Sequence, residues 1–186
     1  MQSEQFVVLI VCTANLCRSP MAEHLLRVAM HTVVQEPPWV VRSAGSRARD
    51  GGPMHHHTAQ VLSQFGISSQ GWETSRLTPQ RITAADLILT ASAAHRKTVV
   101  TMVPASIGRT FPLLQFAALA EAVTTTGPAR SGSELVARAI SGRSRTAAAV
   151  DIDLADPVGR SVRHFQHCAT VIQDAIDRII RPLRPE

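Results

Sequence analysis

Residues 6 to 20 read Phe6-Val7-Val8-Leu9-Ile10-Val11-Cys12-Thr13-Ala14-Asn15-Leu16-Cys17-Arg18-Ser19-Pro20. The unbroken apolar, β-branched run Phe6 to Val11 is the pattern of a strand covered on both faces of a parallel sheet. It stops at Cys12. After the polar stretch Cys12 to Ser19, Pro20 is expected as the first helical residue behind a Ser19 cap, and Met21, Leu25, Val28 and Ala29 recur at helical spacing. Strand, tight loop and helix follow one another within a few turns of chain, and that order decides the fold.

The alternation continues outward. Trp39-Val40-Val41 predicts a second strand running into Ser43-Ala44-Gly45, and Ala59, Val61, Leu62 and Phe65 predict a helix closed by Gly66. Asp86 to Thr90 predicts a third strand, with a helix near His95 to Met102 after it. Thr110-Phe111 predicts a fourth, followed by a helix from about Leu113 to Val123. The expected fold is α/β: an open four-stranded parallel sheet with helices on both faces, a phosphate loop between the first strand and first helix, and ligands at the carboxyl ends of the strands. Val162, Phe165, Ala169, Ile172, Ile176 and Ile179 give the amphipathic stripe of a closing helix from Ser161 onward. Residues 1–186 read as one domain. The Ala-, Thr-, Ser-, Gly- and Arg-rich segment 124–149, with a short helix at Glu134 to Ile140, reads as a mobile surface excursion.

Composition narrows the function classes. The chain has 186 residues, 45% apolar and 18% charged, which describes a globular domain and excludes a disordered or disulfide-scaffold protein. Three cysteines and no signal-peptide pattern favour the cytoplasm, where cysteine spacing more often means chemistry than crosslinking. No apolar run reaches the roughly 18 residues of a membrane span. The net charge of +5, nearly all arginine, suits an anion. Zinc-finger spacing, a lysine-rich tail and aromatic-studded basic strands are all missing, so nucleic acid is not an expected partner.

Cys12 and Arg18 form a Cys-x5-Arg pattern between a buried strand and a helix. Loop N–H groups, the unpaired donors of the helix start and the Arg18 fork converge on a tetrahedral oxyanion, and the same donors stabilise a thiolate at Cys12. A nucleophilic cysteine at neutral pH is the consequence. A general acid is also required, and Asp151, Asp153 and Asp156 compete for it. Only Asp156 precedes a proline, which biases it to an extended, loop-like conformation. Asp86, at the opposite end of a strand, is expected to be structural.

The sequence from Cys12 to Pro20 is similar to the C-x-x-N-x-C-R-S-P signature of the low-molecular-weight protein tyrosine phosphatases, bacterial type. Ser43-Ala44-Gly45, Gly66, the Asp86 to Thr90 strand and Asp156-Pro157 resemble the family pattern in the same order. The resemblance implies a phosphocysteine intermediate on Cys12, with Arg18 and the amides of Thr13, Ala14, Asn15, Leu16, Cys17 and Arg18 holding the phosphate oxygens. It implies that Ser19 donates to the Cys12 sulfur, that Asn15 braces the loop and that Asp156 is the acid. It further implies a phosphotyrosine-containing protein as substrate, inorganic phosphate as product, and no cofactor or metal.

Other residues stay open. Cys17 is either a small buried group or a redox guard that pairs with Cys12; Cys168 reads as core. His55-His56-His57 points its imidazoles in different directions and reads as a basic wall at the site's mouth rather than a metal site. Arg47 and Arg49 read equally as contacts to acidic residues around a phosphosite or as a solvated loop. Trp72 reads as core edge, with a groove wall as the lesser alternative. Relatives with aromatic residues after Asp-Pro differ from Asp156-Pro157-Val158-Gly159, which removes the wall expected to flank a phosphoaryl ring. Among bacterial members of that family, the protein arginine phosphatases look like they carry a threonine just before the second loop cysteine; Leu16 occupies that place here, which favours an aryl phosphate. Arsenate reduction on the same fold, which would need Cys168, and a non-catalytic phosphate-binding module are the alternative functions.

Overall fold

The computed structural model describes residues 5–33, 37–123, 127–142 and 152–184. Four strands, β1 (Phe6–Cys12), β2 (Trp39–Gly45), β3 (Leu87–Thr90) and β4 (Thr110–Pro112), form one sheet in the order β2-β1-β3-β4. Every neighbouring pair is parallel. Their carboxyl ends therefore lie along one edge, with Cys12 opposite Gly45 in register and Val11 opposite Thr90.

Seven α-helices accompany the strands among the described residues: α1 (Arg18–Met30), α2 (His56–Gln64), α3 (Pro79–Thr83), α4 (Ala93–Met102), α5 (Leu113–Val123), α6 (Gly132–Gly142) and α7 (Val162–Ile180). The period-2 alternation of β1 divides the core. Phe6, Val8, Ile10 and Cys12 face a large cluster built with α1, α2, α5, α6 and α7, while Leu9 and Val11 face a smaller one with Ile82 of α3 and Val99 of α4. Both faces are thus covered by helices, and the continuous apolar run of β1 is the sequence's record of that burial. Asp86 is structural here: its Oδ2 accepts the Val7 N–H at 2.7 Å. Among the described residues no helix is long and apolar enough to cross a membrane.

Three local expectations differ. α1 begins at Arg18 with Cys17 as its cap residue, so Ser19 and Pro20 lie inside the first turn. Pro20 is tolerated there because first-turn N–H groups have no intrahelical acceptor. The short α3 was not expected, although Thr78 caps it and Pro79 opens it. Of the 124–149 segment, 124–126 and 143–149 lie outside the described residues, and the rest is not a surface excursion. Leu135 and Ala139 of α6 are fully buried, and a Cβ on Gly132 would stand 2.8 Å from the Phe6 ring. The small residues that suggested a loose surface are there because α6 approaches its neighbours closely.

Candidate active site

The chain from Cys12 to Arg18 turns from β1 into α1 with its carbonyls facing outward. The Cys12 and Thr13 carbonyls accept N–H bonds from Ser46 (2.9 Å) and Arg47 (2.8 Å), the Leu16 carbonyl accepts from His55 (3.0 Å), and the Cys17 carbonyl accepts from Met21 (3.1 Å). A planar trans peptide points its N–H opposite its C=O. Those four outward carbonyls therefore turn the N–H groups of Thr13, Ala14, Cys17 and Arg18 inward. None of the N–H groups from Thr13 to Arg18 donates to a protein acceptor among the described residues. Together with the α1 start they form a concave set of donors suited to an oxyanion.

Asn15 makes the sharpest bend of this loop. It is the one non-glycine residue with positive φ (56°) among the described residues, and it is fully buried. Its side chain holds it there: Nδ2 donates to Ser19 Oγ (2.9 Å) and to Ser43 Oγ (2.8 Å), and Oδ1 accepts the Ser75 N–H (2.7 Å). The Ser43 hydroxyl in turn donates to buried Glu23, which also accepts from Trp72 Nε1 at 3.1 Å. Gly45 closes the cradle from below. A Cβ at this position would sit 2.7 Å from both Asn15 N and Thr13 O, so only glycine leaves the loop its path.

Cys12 Sγ lies 2.9 Å from Ser19 Oγ. Because Ser19 Oγ already accepts from Asn15, its own hydrogen is free for the sulfur. Arg18, buried, splits its guanidinium: Nη1 donates to the Leu154 carbonyl (3.1 Å) and Nη2 to Asp156 Oδ2 (2.5 Å). One guanidinium thus ties the loop to the distant Leu154–Asp156 segment.

Asp153 is used otherwise, accepting the Ala93 N–H (2.8 Å) at the start of α4, while the Leu154 N–H donates to the Ala91 carbonyl (2.8 Å). These two bonds tie the segment before Asp156 to the carboxyl end of β3. Asp151 lies outside the described residues. Asp156 itself is half exposed and accepts the Val158 N–H at 3.1 Å, the turn geometry that an Asp-Pro sequence favours.

Burial sets the state of Cys17 and Cys168. It pushes the Cys17 thiol up to about 11 and the Cys168 thiol up to about 12, so both are held protonated at neutral pH. All three are free thiols. The histidine run sits at the loop's rim: His55 caps α2 by accepting the His57 N–H (3.2 Å) and stacks on Phe165 (4.8 Å). Trp72 turns inward to Glu23. The Arg47 and Arg49 side chains are exposed, and it is the Arg47 backbone that holds the Cys12 to Arg18 loop. Glu23, Ser75 and His95, which bonds the Thr13 hydroxyl at 2.8 Å, are the site-supporting residues that the sequence did not single out. Their long separations leave no spacing to read.

The chain matches the family model described as low molecular weight phosphotyrosine protein phosphatase over residues 7–141. A probable low molecular weight protein-tyrosine-phosphatase of Ralstonia solanacearum is 36% identical over 106 residues, spanning 57% of this chain and 69% of that protein. A protein-arginine-phosphatase of Geobacillus stearothermophilus is 29% identical over 96% of this chain and 97% of its own length. The solved arginine phosphatase of that organism superposes with a TM-score of 0.71 and 28% identity, covering 95% of this chain and 91% of that one. A low molecular weight protein tyrosine phosphatase of T. tengcongensis shares the fold at a TM-score of 0.72.

Replacing Gly45 by alanine forces a methyl group into the loop backbone. The Gly45→Ala protein is expected to bind inorganic phosphate at least about tenfold more weakly than the parent, since close-packed backbone gives way by distortion. Calorimetric titration with phosphate checks this, and unchanged affinity would remove the steric role given to Gly45.

Proposed function

The chain belongs to the low molecular weight phosphotyrosine protein phosphatase family, and from that membership we propose that it hydrolyses phosphotyrosine in proteins through Cys12, Arg18, Ser19 and Asp156. The carrying observation is the Arg18 guanidinium, which reaches from the loop of inward N–H groups to the Asp156 carboxylate at 2.5 Å. An acid held that close to the phosphate cradle is within reach of a leaving-group oxygen.

In this reading the Cys12 thiolate attacks phosphorus while the bond to the aryl oxygen breaks and Asp156 supplies that oxygen's proton. The loop amides of Thr13 to Arg18 and the Arg18 fork hold the equatorial oxygens, where positioned donors contribute most. Water then attacks the phosphocysteine, Asp156 takes its proton, inorganic phosphate forms, and the sulfur leaves as a thiolate stabilised by the Ser19 hydroxyl. An incoming phosphate dianion competes with Asp156 for Arg18, which frees the carboxyl group to act as an acid. The chemistry uses no cofactor. A free nucleophilic thiol suits a reducing compartment, so we place the enzyme in the cytoplasm as a single catalytic domain.

A second reading, phosphoarginine hydrolysis, has in its favour the arginine phosphatase matched along nearly the whole chain. Leu16 speaks against it. Its alkyl side chain packs against the core at the rim of the loop and offers neither hydroxyl nor charge to a guanidino nitrogen. Exposed Val158, 53% accessible beside Asp156-Pro157, supplies some apolar surface where an aromatic wall was missed.

Cys12→Ser is expected to abolish turnover of an aryl phosphate, and Asp156→Ala to lower it by about 10² to 10⁴. Steady-state assays at matched folding check both, and full activity in either variant would exclude the scheme. A phosphotyrosine peptide should be hydrolysed with a kcat/KM about tenfold or more above that for a matched phosphoarginine peptide. The reverse order would select the second reading.

A further inference from the structure

A second chain of polar contacts reaches the loop at Thr13. Thr13, the first residue after the nucleophile, is half-buried, and its carbonyl is fixed by the Arg47 N–H. Among the described residues its hydroxyl has one partner, His95 Nε2 at 2.8 Å. His95 is buried at the start of α4, with Nδ1 2.6 Å from Ser92 Oγ. Ser92 caps α4 by accepting the His95 N–H at 3.3 Å.

Proton bookkeeping fixes the direction of this chain. Ser92 is buried and its oxygen already accepts, so its hydroxyl hydrogen goes to the nearest acceptor, His95 Nδ1. The neutral imidazole then carries its hydrogen on Nε2 and donates to Thr13 Oγ1. Burial first, and then the nearby Arg18, hold His95 below the ordinary histidine range, against the smaller upward pull of Asp153 and Asp156. The ring therefore stays neutral at neutral pH and the direction is kept. Thr13 Oγ1 accepts, and its own hydrogen is left for the mouth of the cradle.

We propose that Thr13 donates this hydroxyl hydrogen to the bound phosphate ester, and that His95, locked by Ser92, is the positioning residue that turns it there. The inference rests on the phosphatase reading and adds a side-chain donor to the backbone amides that reading invokes. It also assigns a role to the buried His95 ring, whose place an apolar side chain could take without the cost of burying a polar group.

The test compares the wild-type protein with Thr13→Ser, Thr13→Val, His95→Phe, His95→Gln and the double variant Thr13→Val/His95→Phe. Hydrolysis of an aryl phosphate and competitive inhibition by inorganic phosphate are read for each. Loss of a hydrogen bond to a charged group predicts that Thr13→Val lowers kcat/KM by about 10- to 100-fold and weakens phosphate inhibition in step. Thr13→Ser, which keeps the hydroxyl, should stay within about threefold of wild type. His95→Phe should be as damaging as Thr13→Val, and the double variant no worse than about threefold below the poorer single one, because both act through one bond. If His95→Phe does not fold, His95→Gln takes its place in the cycle. Unchanged phosphate inhibition in Thr13→Val, or multiplicative losses in the double variant, would overturn the inference. A wild-type protein that does not hydrolyse the aryl phosphate would instead overturn the phosphatase reading beneath it.

Discussion

The orientation of a few peptide planes is what the rest of the molecule serves. Four carbonyls of the Cys12 to Arg18 turn are tied outward, by Ser46, Arg47, His55 and Met21, so the corresponding N–H groups face a common centre. Among the described residues those N–H groups have no protein acceptor, a costly arrangement unless it has a use. The surroundings over-determine it. Asn15 holds a left-handed backbone through its buried amide, which donates two hydrogen bonds and accepts a third, and Gly45 packs against the loop at a distance no Cβ could occupy. The parallel register that places Cys12 beside Gly45 brings both to the sheet edge where α/β proteins bind ligands.

From this cradle the chemistry follows by charge. A set of inward donors and a buried guanidinium attract an oxyanion, and the Ser19 hydroxyl, which accepts from Asn15, has its own hydrogen available to the Cys12 sulfur. At Cys17 and Cys168 burial dominates and drives both toward the protonated thiol. Three cysteines of one chain therefore have different chemistry for reasons that lie in their neighbours. A buried, protonated Cys168 is a poor participant in the thiol relay that arsenate reduction would need.

Much of this was legible in the sequence where the determinants are local. The β-branched run before Cys12, the Cys-x5-Arg spacing and the Asp156-Pro157 pair are each contained in a few consecutive residues; they led to the open parallel sheet and singled out Arg18 and Asp156, whose pairing the fold supplies. What was not legible depends on distant partners. Glu23, Ser75 and His95 enter the site through single hydrogen bonds across tens of residues, and no periodicity announces such a bond. Ser19 carries the composition of a helix cap, yet its hydroxyl is engaged by Cys12 and Asn15, so the helix starts earlier. Gly132 and its small neighbours resembled a loose surface segment because the same residue types permit close helix packing against Phe6.

The central claim is that Cys12 is a nucleophile and not merely a buried thiol beneath an anion site. Its most direct test is to mix the Asp156→Ala protein with an aryl phosphate bearing labelled phosphorus, quench in acid within the first turnover, and map the label by peptide mass analysis. Slowed hydrolysis of the intermediate should leave the label on the peptide that contains Cys12, bound through sulfur. Label on any other residue, or turnover with no labelled protein at any time, would contradict the account.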